Sequence, residues 1–219
     1  MTIGLFGGTF DPVHCGHLDV ARAAREALSL DEVWFVPARH PPHRAEPAVS
    51  AAHRFAMLAL ATSDAQGLLV SDLEMDAPGP SYTVDTLDRL EARRPHLAGS
   101  LFFITGSDAF RDIRTWRSYR ALLDRCHFVV VSRSGLPASA MRADLPEFSA
   151  RMLDTPCTMP SSPSIFLVES RTTAVSSTDV RQALADGGTS AGLVPEPVAS
   201  YAAKYGLYQA RGQRENAQE

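Results

Sequence analysis

The chain has 219 residues, 45% of them hydrophobic and 21% charged, which is ordinary globular composition and excludes a disordered or low-complexity protein. Lys and Arg number 21 against 25 Asp and Glu, a formal charge of −4, which excludes a dedicated nucleic-acid binder with a basic face but leaves room for a phosphorylated ligand held by a few local cations. No apolar run reaches the ~18 residues of a membrane helix, the Met1-Thr2-Ile3-Gly4 start lacks the basic residues of a signal peptide, and three cysteines (Cys15, Cys126, Cys157) without a CxxC pair indicate neither a disulfide framework nor a cysteine-rich zinc site.

In chain order, the apolar run at residues 3–6 is the first predicted strand. After an eleven-residue segment rich in glycine and histidine comes a helical stripe of Leu18, Ala21, Ala24 and Leu28, with Arg22, Arg25 and Glu26 off it. A second strand at 33–36 runs into Pro37-Ala38-Arg39-His40-Pro41-Pro42-His43-Arg44, a basic loop that its prolines keep from becoming helix. Phe55, Leu58, Ala59 and Thr62 mark a second helix, residues 68–70 a third strand, and Val84, Leu87 and Leu90 a third helix. Strands at 101–104, 128–131 and 165–168 follow. Most of these runs are continuous rather than alternating, as in strands covered on both faces.

Strands alternating with helices predict an α/β, Rossmann-like open parallel sheet with helices on both faces, ending in a small C-terminal helical segment. Residues 1–208 are expected to form a single domain. Five prolines and four serines around a weak helical patch make residues 135–163 read as a surface insertion, and the polar residues 209–219 as a disordered tail.

The chemistry is expected at Gly7-Gly8-Thr9-Phe10-Asp11-Pro12-Val13-His14-Cys15-Gly16-His17, between the first strand and the first helix, where open α/β sheets bind ligands. The glycines let the backbone approach a phosphate, the following helix presents unpaired N–H groups, and two histidines three apart face one site. There is neither GxGxxG nor GxxxxGK[ST], and a zinc site through His14, Cys15 and His17 lacks a fourth ligand. A glycine turn with two helix-capping histidines would need no ligand at all. Further along, Ser176-Ser177-Thr178-Asp179-Val180-Arg181 reads either as a plain helix N-cap with a loose capping box or as a second phosphate cradle with Arg181 one turn inside. Trp116 reads either as core, at helical spacing with Tyr119 and Leu123, or as a π face for a cationic ring.

The eleven-residue string resembles the nucleotidyltransferases that carry an (H/T)xGH signature, and within them it is similar to the bacterial nicotinate-nucleotide adenylyltransferase family. The likeness continues through Pro41-Pro42-His43-Arg44, Pro80-Ser81-Tyr82-Thr83, Gly106-Ser107-Asp108, Thr115-Trp116, Val175-Ser176-Ser177-Thr178 with Arg181, and residues 201–208. Cys15 falls at the variable position of HxGH, and Ala38-Arg39-His40 departs from an asparagine-containing stretch common in the family.

The resemblance implies transfer of the adenylyl group of ATP to nicotinate mononucleotide, with Mg²⁺ carried on ATP through few direct protein ligands, none of which the sequence identifies. It implies His14 and His17 as catalytic donors to the triphosphate, and Gly7, Gly8, Thr9, Phe10, Arg133, Ser176, Ser177, Thr178 and Arg181 around ATP. Nicotinate mononucleotide falls to His43, Arg44, Tyr82, Thr83, Asp108 and Trp116; the first-turn N–H groups at Thr83 would favour a carboxylate over a carboxamide. Asp108 and the His43–Arg44 loop also have plainer readings, as a helix cap and an exposed basic loop. A cytoplasmic enzyme is expected, with ATP and nicotinate mononucleotide as partners, no nucleic acid and no membrane, and a homo-oligomer left open. The competing readings are a relative acting on phosphopantetheine, nicotinamide mononucleotide or a polyol phosphate, and a nucleotide sensor that binds without reacting.

Overall fold

The computed structural model describes residues 1–42, 46–97, 101–133, 135–155, 157–186 and 190–209. In chain order the elements are β1 (Ile3–Gly8), α1 (Cys15–Ala27), β2 (Glu32–Pro37), α2 (Ala51–Thr62), β3 (Leu68–Val70), α3 (Thr83–Arg93), β4 (Leu101–Gly106), α4 (Ser107–Phe110), α5 (Tyr119–Arg125), β5 (His127–Val131), α6 (Met141–Asp144), β6 (Met152–Asp154), β7 (Ile165–Val168), α7 (Ser177–Ala185) and α8 (Glu196–Lys204). The strands form one sheet in the order β3-β2-β1-β4-β5-β7-β6, with every pairing parallel.

Alternate residues of each strand feed opposite faces. Phe6, Phe35, Phe102, Ile104, Val129 and Phe166 enter a core with α1, α2, α7 and α8. Leu5, Trp34, Phe103, Phe128, Val130 and Leu167 enter a second core with α3, α5 and α6. This two-sided burial is the reason the strands read as unbroken apolar runs. Among the described residues no helix is long and apolar enough to cross a membrane.

Two expectations change. Residues 135–163 are not merely a surface insertion: Ala138, Met141, Leu145 and Met152 are buried in the second core, and β6 extends the sheet beyond β7. The buried face of α2 is Arg54, Met57, Leu58 and Thr62, so the stripe lies about one residue from the predicted one and carries a cation inward. Of the tail, residues 210–219 lie outside the described residues, as do His43 and Arg44.

The chain runs outward from β1 through β2 to β3, then crosses to β4 on the other side of β1. The order therefore reverses between β1 and β4, and a crevice opens at their carboxyl ends. Gly8 ends β1 there and Gly106 ends β4.

Candidate active site

Two cavities lie at this reversal, one of about 520 Å³ toward α1 and α7 and one of about 340 Å³ toward α3. Gly7, Gly8, Thr9 and Ala109 line both. Four small residues are thus the seam between the two spaces.

The larger cavity is walled by Phe10, His17, Arg133 and the Ser176–Thr178 turn with Arg181. His14 caps α1 in extended backbone (φ −143°, ψ 170°) and turns its ring inward, where it is fully buried. It stacks on His17 with ring centroids 3.6 Å apart and lines neither cavity. The His14 N–H donates to His17 Nδ1 at 3.3 Å, so a neutral His17 carries its proton on Nε2. The Phe10 ring, edge-on at 4.9 Å, holds the His17 imidazole from the other side. Gly16 lets α1 come this close to the neighbouring segment: a Cβ there would sit 2.8 Å from the Thr173 carbonyl oxygen.

Neither ring nitrogen of His14 has a hydrogen-bond partner among the described residues. Burial, followed by the charge of Arg133, pushes its pKa down to about 3 against the opposing pull of Asp179 and Asp19. The folded chain therefore keeps His14 neutral, while the unfolded chain protonates it below about 6.5. Its contribution to stability is complete above pH 6.5 and is lost as the pH falls toward 3. Denaturant unfolding between pH 7 and 5 is expected to show this loss with a limiting slope of about 1.4 kcal/mol per pH unit. His14→Asn removes one proton's share of it; His127, its pKa also lowered by burial, leaves a residual slope of the same sign. An unchanged slope in the variant would refute this account of His14.

α7 begins with the capping box that its sequence allows: Ser176 Oγ accepts from the Asp179 N–H at 3.2 Å, and Asp179 accepts from the Ser176 N–H at 2.9 Å. The helix is bolted to the loop after β1, with Ser177 Oγ donating to the Pro12 carbonyl at 2.9 Å and Arg181 Nη1 to the Asp11 carbonyl at 2.7 Å. Asp11 is a hub. Its carboxylate accepts from the Ala48 N–H and from the Tyr208 hydroxyl, each at 2.7 Å, which ties the last described turn to the first loop.

Arg133 follows β5 and reaches to 3.7 Å from the Asp108 carboxylate. Ser107 Oγ accepts from the Arg133 N–H at 3.0 Å and donates to the Leu136 carbonyl at 2.7 Å, closing the turn that carries the arginine. At Gly106 a Cβ would lie 2.4 Å from an Asp108 oxygen and 2.8 Å from Arg133 Cδ, so a bare backbone is what lets both side chains reach the crevice.

The smaller cavity is lined by Tyr82, Thr83, Thr86, Phe103, Trp116 and Arg117 among others. Trp116 is half-buried and stands edge-on to Phe103 at 5.7 Å, so it packs on the core with one flank and faces the cavity with the other. Arg117 lies over the Tyr82 ring at 4.8 Å and pairs with Asp85 at 3.4 Å, offsetting the one acidic residue in the first turn of α3. Glu74 is buried beneath, accepting a hydrogen bond from the Thr86 hydroxyl.

The structure thus gathers Gly7, Gly8, Thr9, Phe10, His17, Arg133, Ser176, Ser177, Thr178 and Arg181 around the larger cavity, and Tyr82, Thr83 and Trp116 around the smaller. Two placements differ from expectation. Asp108 lines the larger cavity, because the chain leaves β4 at the seam and turns toward Arg133. His14 lies beneath His17 instead of beside it, because its side chain takes the inward direction of the extended cap. Sequence reasoning missed Arg54, Glu74, Arg117 and Asp11 as site residues. Arg54 had a readable signal: it stands three and four positions before Met57 and Leu58, on the face that α2 buries.

Residues 5–183 match the cytidylyltransferase-like family. The chain is 43% identical over 208 residues to a probable nicotinate-nucleotide adenylyltransferase of Thermus thermophilus, covering 95% of this chain and 100% of that protein. It is 41% identical to the protein of the same name from Pseudomonas fluorescens, over 95% of this chain and 97% of that one. The fold is similar to that of Plasmodium falciparum nicotinic acid mononucleotide adenylyltransferase complexed with NaAD, with a TM-score of 0.74 at 20% identity, over 94% of this chain and 97% of that one.

Proposed function

Since the chain belongs to the cytidylyltransferase-like family, and to the nicotinate-nucleotide adenylyltransferases, we propose that it transfers the adenylyl group of ATP to nicotinate mononucleotide, giving nicotinate adenine dinucleotide and pyrophosphate in NAD biosynthesis. The observation that carries this reading is the pair of cavities meeting at Gly7-Gly8-Thr9, one walled by cations and helix-terminal hydroxyls and the other by aromatic rings.

In this reaction a mononucleotide phosphate oxygen forms a bond to the α-phosphorus of ATP, and the bond from that phosphorus to the pyrophosphate oxygen breaks. The nucleophile is already an anion, so no general base is needed; the enzyme holds two polyanions in line and neutralises the charge on the phosphoryl oxygens. His17 donates from Nε2, while Arg133, Arg181, the first-turn N–H groups of Ser177 and Thr178 and the Thr178 hydroxyl hold the remaining phosphate oxygens; the Ser177 hydroxyl is already given to the Pro12 carbonyl. His14 acts from behind, stacked under His17.

Mg²⁺ carried in with ATP would supply further charge neutralisation at the phosphates. Of the carboxylates lining the larger cavity, both oxygens of Asp11 already accept hydrogen bonds, whereas Asp108 pairs with Arg133 through one oxygen and keeps Oδ1 without a hydrogen-bond partner among the described residues, so of these two Asp108 is the one with an oxygen open to such an ion. Among the described residues no three His, Cys, Asp or Glu side chains are grouped to hold a metal.

On the acceptor side, Trp116 offers its π face to the pyridinium. The open N–H groups around Thr83, with Asp85 offset by Arg117, receive the carboxylate. Trp116→Ala is expected to raise the Michaelis constant for nicotinate mononucleotide about 5- to 30-fold, the equivalent of ~1 to 2 kcal/mol, and leave that for ATP unchanged. The deciding assay is pyrophosphate release from Mg-ATP with nicotinate or nicotinamide mononucleotide. Strong preference for the acid supports the reading, equal use discards the account of Thr83, and silence with both refutes the proposed reaction.

A further inference from the structure

Arg54 is a guanidinium almost wholly removed from water, at 1% exposure, in the wall behind both cavities. A cation in that position is costly unless its hydrogen bonds are made. Nη1 donates to the carbonyls of Thr9 and Ala38, each at 2.7 Å, and Nη2 to the carbonyl of Arg39 at 3.2 Å. No carboxylate pairs with it directly among the described residues, although Asp11 and Glu74 lie close enough to favour its charge. One side chain of α2 therefore grips the loop after β1 and the loop after β2 together.

The grip on Thr9 has a directional consequence. In a trans peptide the N–H points opposite to the C=O, so drawing the Thr9 carbonyl back to Arg54 turns the Phe10 N–H away from it. Phe10 lines the larger cavity in a left-handed conformation (φ 50°), and its N–H has no acceptor among the described residues. A backbone donor held this way in a loop before a helix is suited to an anion.

We propose that Arg54 is a positioning residue for the triphosphate: it never touches the nucleotide, but by taking the Thr9 carbonyl it sets the Phe10 N–H toward a phosphate oxygen. The inference rests on the reading of the larger cavity as the ATP site.

The test combines amide NMR with kinetics. In the wild-type chain the Phe10 amide resonance is expected to move on titration with Mg-ATP. Arg54→Met, which removes the fork, is expected to abolish that movement and to lower kcat/KM for ATP about 10²-fold, with Arg54→Lys restoring part of both. Ser50→Ala is the control: it removes the N-cap of the same helix, where Ser50 Oγ accepts from the His53 N–H, and is expected to lower thermal stability while the folded protein keeps its activity. Arg54 variants that lose no more activity than Ser50→Ala, or that keep the Phe10 response, overturn the proposal. Should the Arg54 variants not fold, the wild-type titration decides: nucleotide binding with a silent Phe10 amide overturns the inference alone. Absence of any Mg-ATP binding overturns the underlying reading of the cavity as well.

Discussion

His17→Ala is expected to slow adenylyl transfer about 10²- to 10³-fold, a loss of ~2.7 to 4 kcal/mol of transition-state stabilisation, the size seen when one preorganised donor is removed from developing negative charge. The Michaelis constant for nicotinate mononucleotide should scarcely move, because His17 lines only the larger cavity. His17→Asn, which keeps an N–H donor of similar reach, should recover part of the rate. His17 also packs on Phe10 and His14, so denaturant unfolding of each variant must accompany the kinetics. Turnover in a folded His17→Ala within threefold of wild type would remove this residue from the mechanism.

Phe128→Ala is the largest expected loss of stability, ~3 to 5 kcal/mol by urea unfolding. Phe128 is fully buried on β5, with its ring 5.5 Å from Phe103 and 5.6 Å from Phe110. The loss should reach the site, because Phe103 is the ring against which Trp116 stands. A cavity behind Phe103 loosens that wall, so affinity for the mononucleotide should fall while affinity for ATP holds. Equal loss of both affinities would show that the damage is general.

Six of the seven strands were legible as unbroken apolar runs; burial on both faces is the cause in β1, β2, β4, β5 and β7, while β3 is an apolar edge strand whose Leu69 is exposed. β6 was not, since Met152-Leu153-Asp154 is a three-residue edge strand inside a segment whose prolines and serines dominate its pattern. The site was legible wherever chemistry and backbone coincide: glycines ending β1, hydroxyls opening α7, and an aromatic residue after β4.

Depth was harder to read. His14 and His17 are spaced to share a helix face, yet spacing does not say which ring lies beneath the other. The predicted stripe of α2 leaves Arg54 out, although the period of Met57 and Leu58 places it inward. Asp108 follows a glycine at the sheet's reversal, where one turn decides which of two adjoining cavities a side chain enters.

The hub at Asp11 bears on how the chain comes to be made. Its carbonyl waits for Arg181, 170 residues later, and its carboxylate for Tyr208, 197 residues later. The loop that opens the site thus leaves the ribosome well before either of its braces. A nascent chain can pair β1 with β2 long before it can fix that loop, and closing so long a separation is slow. The larger cavity is therefore completed only once Arg181 and Tyr208 have been made, on a sheet whose last strand precedes both.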